Sequence, residues 1–284
     1  LKEKSVSLLS WAYNEEASIG GFLECATQLM MKTVEDYEIV IIDDGSTDRT
    51  YEIAMSFQKG NPRIKIFRNE CNLNVGISSQ RAIQRASKKF LFWQTIDWCY
   101  DISELRTFLN YLDTYDIVQG VRRRPVPVKS RLLKPFAGLM KLMGTKHLTK
   151  RSDTISKSII SVINYSLIRV LFRVPLSDFQ NVTFYRSKWI QSIQYEAKSS
   201  FANPEGLIKS YWAGKSIKEV PISFLSRQAG DAKGTRPHAI WMAVTDIFRL
   251  WFKWILLGRR GVIQKGKIGR LRPTKGGEDG NKSG

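Results

Sequence analysis

Apolar residues run almost unbroken through Ser5–Trp11 and again through Asp36–Ile42, and each run ends in a polar, turn-forming cluster. Runs this short, rich in Val, Ile and Leu, predict strands buried on both faces of a parallel sheet. The first passes through Ala12-Tyr13-Asn14-Glu15-Glu16 into a helical pattern that lasts to about Met31. The second stops at Asp43–Asp48, where Gly45 permits a tight bend and Ser46 or Thr47 is placed to cap a helix through Phe57. Ile64–Phe67 predicts a third strand, followed by the loop Asn69–Gly76 and a helix to about Lys88. Phe90–Trp93 and Asp116–Gln119 predict two more strands. Strand–helix alternation of this kind predicts an α/β fold, a mostly parallel, doubly wound sheet flanked by helices. Ligands of such sheets sit beyond the carboxyl ends of the strands. The segments Tyr13–Glu16, Asp43–Asp48 and Thr95–Asp101 are therefore expected to meet in one crevice.

Charge divides the chain. Residues 1–118 carry 13 Lys and Arg against 17 Asp and Glu, whereas residues 119–284 carry 32 against 9. This split predicts an acidic half with one task and a basic half that meets an anionic surface or substrate. Three scattered cysteines exclude a disulfide scaffold, and two histidines make a His-built zinc site improbable. The expectation is a reduced, intracellular protein whose first residues lead into a strand and not out of a signal peptide. Aromatic-and-basic stacking motifs are absent, which argues against nucleic acid.

No Walker loop and no GxGxxG follows the first strand. The crevice offers carboxylates instead: Glu15, Asp43, Asp44, Asp97 and Asp101. Carboxylates at strand tips accept hydrogen bonds from a base or ribose, and they hold Mg²⁺ or Mn²⁺, hard cations that carry diphosphates. A plainer reading makes Asp44, Ser46 and Asp48 simple helix caps.

The order and spacing of Val6–Glu16, Tyr37–Asp48 and Asn69–Gly76 resemble the nucleotide-sugar-binding half of family 2 glycosyltransferases. Val174–Asn181, Val182–Arg186 and Glu219–Lys233 are similar to the polyprenyl-phosphate branch, which includes dolichyl-phosphate mannose synthase. The resemblance implies a GT-A-like, Rossmann-like sheet. It implies that Ala12, Tyr13 and Glu15 line a nucleoside pocket, that Asp44 accepts a ring N–H of uracil or guanine, and that Arg81 approaches the base or diphosphate. The family's metal motif is Asp-x-Asp, and this chain has Thr95-Ile96-Asp97, which keeps the second carboxylate. A divalent cation at Asp97, Mg²⁺ or Mn²⁺, is one reading. A metal-independent transferase that uses Arg and Lys is another, and a non-catalytic relative is a third.

The basic half supplies groups for a diphosphate and an anionic acceptor. Arg122, Arg123 and Arg124 follow the strand at Asp116–Gln119, and arginine forks match phosphate geometry; a solvated charge run is the alternative. The resemblance places Arg227 and Lys233 in a loop that meets the donor diphosphate, and an arginine near Arg122 on the acceptor phosphate. Arg151 is a further phosphate candidate. Asp178 stands as a catalytic carboxylate, orienting an arginine or the sugar, or as a turn cap.

Ala239–Leu257 is an apolar, Trp-rich helical pattern in which Asp246, Arg249 and Lys253 recur on one side. Three charges argue against spanning, and Arg259 and Arg260 follow, as in an interfacial helix at an anionic membrane surface. Packing against the sheet or a second copy is the alternative.

The organisation expected is a nucleotide-sugar-binding half (1–118), an acceptor half of the same catalytic domain (119–236), an amphipathic helix (237–260) and a basic tail (261–284). The function expected is inverting transfer of a sugar from a UDP- or GDP-linked donor to a polyprenyl phosphate. The enzyme would be peripheral at the cytoplasmic face of a membrane, with a homo-oligomer left open. The alternatives are a saccharide or other hydroxyl acceptor, or a membrane-associated subunit that binds the donor without turning it over.

Overall fold

The computed structural model describes residues 4–122, 155–223, 225 and 237–261. The predicted strands are present as β1 (Ser5–Ala12), β2 (Asp36–Asp43), β3 (Ile64–Arg68), β4 (Phe90–Trp93) and β5 (Ile117–Arg122). Two more, β6 (Thr183–Arg186) and β7 (Ile217–Ile222), complete a seven-stranded sheet in the order β3-β2-β1-β4-β6-β5-β7. Strands β1 to β4 pair in parallel, as does β7 with β5, while β6 runs antiparallel to both its neighbours. The sheet crosses the 118/119 division within β5, so the acidic and basic halves share one core.

The helices are α1 (Glu16–Thr33), α2 (Thr50–Gly60), α3 (Val75–Arg85), α4 (Leu105–Tyr111), α5 (Ile155–Phe172), α6 (Ser187–Ser192), α7 (Ala202–Trp212) and α8 (Pro237–Trp251), the last continued by a π turn at Phe252–Leu256. Helices cover the sheet on both faces because β1 and β2 expose almost nothing: Leu8, Leu9, Ile39, Val40, Ile41 and Ile42 are all buried. Each such side chain contributes about 1.5–3 kcal/mol on burial. Phe92 of β4 stacks on Phe184 of β6, which stacks in turn on Phe108 of α4, with ring centroids 4.7 and 5.0 Å apart. This aromatic column fastens the antiparallel strand to the parallel half.

One charge interrupts the apolar run of β2. Glu38 is buried and accepts hydrogen bonds from Ser7 of β1, Lys65 of β3 and both the N–H and hydroxyl of Ser87. Burial alone would raise its pKa, but these donors outweigh it and hold the carboxyl below its ordinary value.

The C-terminal helix is fixed to the body by its charged positions together with an apolar buried side. Asp246 accepts from the N–H groups of Lys198 and Ser199, Arg249 donates to the carbonyl of Glu196, and Lys253 pairs with the Glu196 carboxylate. Ile247, Leu250 and Trp254 are buried beside them. Among the described residues no helix is long and apolar enough to cross a membrane.

Candidate active site

Strands β2, β1 and β4 are adjacent and parallel, so their carboxyl ends open on one edge of the sheet. Register sets Ala12 beside Asp43 and Asp43 beside Arg68. The Asp44 N–H donates to the Ala12 carbonyl at 2.7 Å, and the Asn69 N–H to the Asp43 carbonyl at 2.8 Å. On the other side of β1, the Gln94 N–H donates to Leu9 and the Ser10 hydroxyl to the Gln94 carbonyl. The three tips expected to converge do lie side by side.

Asn14 ties the first tip to the second. It holds a left-handed backbone (φ 52°), and its side-chain oxygen accepts the Thr47 N–H at 2.8 Å while its own N–H donates to the Ser46 hydroxyl at 3.0 Å. Ser46 and Thr47 therefore do not cap α2, which starts at Thr50 without a side-chain cap. Their polar groups are drawn to the β1 loop because that loop carries backbone donors and acceptors that no strand satisfies. The Thr50 hydroxyl accepts from Glu15 N–H at 2.7 Å, and Asp48 turns back on Thr50. Tyr13 and Glu15 are half-buried on this loop.

Asp44 is buried, and its Oδ1 accepts from the Asn69 amide at 2.7 Å and from the Leu73 N–H at 2.9 Å. Asn69 also donates to the Ser78 hydroxyl, and its oxygen accepts from Arg81 at 2.5 Å. Arg81 thus reaches the crevice through Asn69. Both also line a surface cavity of about 510 Å³ with Arg68 and Arg85. Asp43 is ion-paired with Arg68 at 3.1 Å. Burial holds its carboxyl above the ordinary value, Ser46 and Arg68 opposing. Gly45 (φ +71°) is needed here, since a side chain would collide with the Cys71 backbone.

Beyond β4 the chain turns sharply: the Trp98 N–H bonds back to the Thr95 carbonyl, and Trp98 sits at φ 51°. The Thr95 hydroxyl lies 3.0 Å from the Cys99 thiol. Gln94 uses its amide on the Tyr100 carbonyl and the Thr95 N–H. Asp101 accepts from Ser103 through Oδ1. No cluster of three His, Cys, Asp or Glu that could hold a metal exists among the described residues. Beside Asp101, engaged with Ser103, this turn carries one further carboxylate, Asp97. Such a residue fits a cation that arrives with a diphosphate, because Mg²⁺ takes one or two carboxylates and completes its shell with phosphate oxygens and water.

Asp178 is buried in its own turn. Its carboxylate accepts from the N–H groups of Phe179 and Gln180 and from the Asn181 amide, while its carbonyl accepts from Gln119 of β5. That is the bonding of a turn cap. Arg122 ends β5. Arg123, Arg151, Arg227 and Lys233 lie outside the described residues.

Asn14 and Asn69 were not singled out by the sequence. The signal for Asn69 was its position just after an apolar strand at the head of a loop, where a polar side chain has backbone and carboxylate partners within reach. The buried pair of Glu205 and Lys209 (2.7 Å) carried no such signal, because an acid and a base four residues apart on a helix read as a surface pair.

A relative from Haloferax volcanii, glycosyltransferase AglD, is 22% identical over 259 residues, 87% of this chain and 37% of its own. The chain therefore spans little more than a third of that relative. Among solved structures, glucosyl-3-phosphoglycerate synthase from Mycobacterium tuberculosis, in complex with Mn²⁺, UDP and glucosyl-3-phosphoglycerate, superposes with a TM-score of 0.54 at 14% identity, over 93% of this chain and 82% of that one. TarS from S. aureus, in complex with UDP-GlcNAc, gives 0.53 at 17% identity, over 89% and 66%. These likenesses establish a GT-A-like fold. The model of "Glycosyl transferase family 2" matches residues 7–171, more than half of the sequence, and the chain belongs to glycosyl transferase family 2.

Proposed function

We propose that this glycosyltransferase moves a sugar from a nucleotide-diphosphate donor to a polyprenyl phosphate, with inversion, at the cytoplasmic face of a membrane. The observation that carries the donor half is the Asp44 carboxylate, fixed by Asn69 and Leu73 beside the β1 loop, with Asp97 beyond the next strand. A carboxylate held on one oxygen is pre-oriented for a ring N–H of a base. Both uracil and guanine present one, and the UDP complexes of the two structural neighbours favour uracil.

A divalent cation, Mg²⁺ or Mn²⁺, would neutralise the departing diphosphate. Asp97 would give it one hard oxygen and the donor the others; the Mn²⁺ complex of the mycobacterial neighbour supports this. The acceptor half rests on the excess of cations after residue 118 and on the segments Val174–Arg186 and Glu219–Lys233. A phosphate acceptor is an anion near neutral pH, so alignment and charge neutralisation matter more than a general base. Asp178, engaged in its own turn, fits a positioning role in that chemistry.

The test is a mass-spectrometric transfer assay in which UDP- and GDP-sugars are offered with polyprenyl phosphate, with Mn²⁺ or with chelator. The expected result is a lipid-phosphate sugar that chelator suppresses. Product on a saccharide acceptor alone would overturn the acceptor, and donor binding without any product would overturn catalysis.

A further inference from the structure

Seven of the eleven exposed large hydrophobic residues among the described residues lie between Ile240 and Leu257. Trp241, Val244, Phe248, Phe252 and Leu256 recur at three and four residues, so they form one stripe, roughly 25 Å long with its neighbours at 1.5 Å per residue. Trp241 is 66% and Phe252 52% exposed. The helix is attached to the body by Asp246 and Trp254 on its buried side and by Arg249 and Lys253 at the edge. Amphipathic helices on globular proteins turn their apolar side to the core; this one buries Ile247, Leu250 and Trp254 there and carries a second apolar stripe in solvent. The arrangement is held firmly, since Trp254 is buried and donates to Glu196 at 2.9 Å. A rigid, convex, aromatic stripe of this size marks an interaction surface.

Its charge identifies the occupant. Arg259 and Arg260 are exposed just past the stripe, and the half-exposed Arg249 and Lys253 border it, with their partners Asp246 and Glu196 on the body side. A second copy would add like charges, whereas an anionic headgroup layer complements them. Trp and Phe beside Arg and Lys also suit the headgroup boundary, where rings bury their apolar bodies and cations stay wet. We infer that α8 and its π turn dock this stripe in the interface of a bilayer carrying anionic lipid. The surface is independent of which acceptor the enzyme uses.

The test is sedimentation of the full chain with vesicles of phosphatidylcholine alone and of phosphatidylcholine mixed with phosphatidylglycerol, neither containing polyprenyl phosphate. Wild type should bind the mixed vesicles, with weaker binding to the neutral ones and in high salt. The triple variant W241S/F248S/F252S should bind at least about tenfold more weakly, with UDP affinity unchanged. Equal binding of wild type and variant, or no binding of wild type to either vesicle, would overturn the inference. So would self-association of wild type that the variant abolishes. Should the variant fail to fold, brominated acyl chains give a second reading on wild type: they should quench its tryptophan emission, and absence of quenching would overturn docking. Loss of transferase activity with vesicle binding intact would count against the proposed function and leave this surface standing.

Discussion

Asn69 stands between Asp44 and Arg81, donating to the carboxylate at 2.7 Å and accepting from the guanidinium at 2.5 Å. An amide can serve both at once, because it carries a donor nitrogen and an acceptor oxygen on one plane. Through it the second strand tip and the middle of α3 form one unit. Asn69→Ala removes a hydrogen bond to a charged group, which is worth about 1.5–3 kcal/mol. UDP affinity, read by calorimetry, should fall roughly tenfold or more. Asn69→Asp should be worse, since it sets a second negative charge against Asp44. Unchanged affinity in both would detach this residue from the donor pocket.

Asp97 carries the prediction about the cation. Asp97→Asn keeps the shape and removes the charge, so it should lower transfer by about 10²-fold or more if that charge acts on the transition state. Mn²⁺ dependence should weaken in the same variant, while UDP binding without metal stays as in wild type. Turnover equal to wild type would remove the metal role.

Glu38 makes the fold sensitive to acid. Its folded pKa lies below the ordinary glutamate value, burial being outweighed by Lys65, Ser7 and Ser87. A carboxyl of this kind stabilises the folded state above its unfolded pKa, and the contribution disappears as pH falls through the folded value. Urea midpoints should therefore drop as pH falls below about 5, and the drop should be smaller in Glu38→Gln. At pH 7 that variant should be less stable by about 1–3 kcal/mol, because Lys65 and the Ser87 N–H lose an anionic acceptor.

The first five strands were legible because they are short apolar runs with polar stops, and the convergence of three tips followed from parallel pairing alone. Ser46 and Thr47 were misplaced as caps for a physical reason: a hydroxyl near a helix start binds whichever unsatisfied backbone lies closest, and here that is the Asn14 loop from another strand. The spacing of Asp246, Arg249 and Lys253 gave their common side. It carried no information on whether that side faces water or protein, which is set by Glu196 and Lys198, some fifty residues away. Asp178 illustrates the same limit. Its turn bonds come from Phe179–Asn181, and a carboxylate in a loop looks the same in sequence whether it is a base or a cap.

Gly76 and Asp246 meet on opposite sides of one short segment, and that gives the last prediction. A Cβ on Gly76, in the first turn of α3, would run into the backbone of Lys198 and Ser199. From its other side, Asp246 accepts the N–H groups of the same two residues at 2.9 and 3.0 Å. Leu73, three residues before Gly76, donates its N–H to Asp44. The docked helix therefore holds the support on which the donor loop rests. Asp246→Ala leaves the buried Ser199 N–H and the part-buried Lys198 N–H without their acceptor, and should cost about 1–3 kcal/mol of stability. If the support moves, UDP affinity should fall several-fold although Asp246 is remote from Asp44 in sequence. Gly76→Ala should reproduce the loss of affinity from the loop side. Their double variant should lose less than the sum of the two, as expected of residues acting through one contact. Full additivity would mean that the helix and the donor loop are energetically separate, whatever the geometry between them.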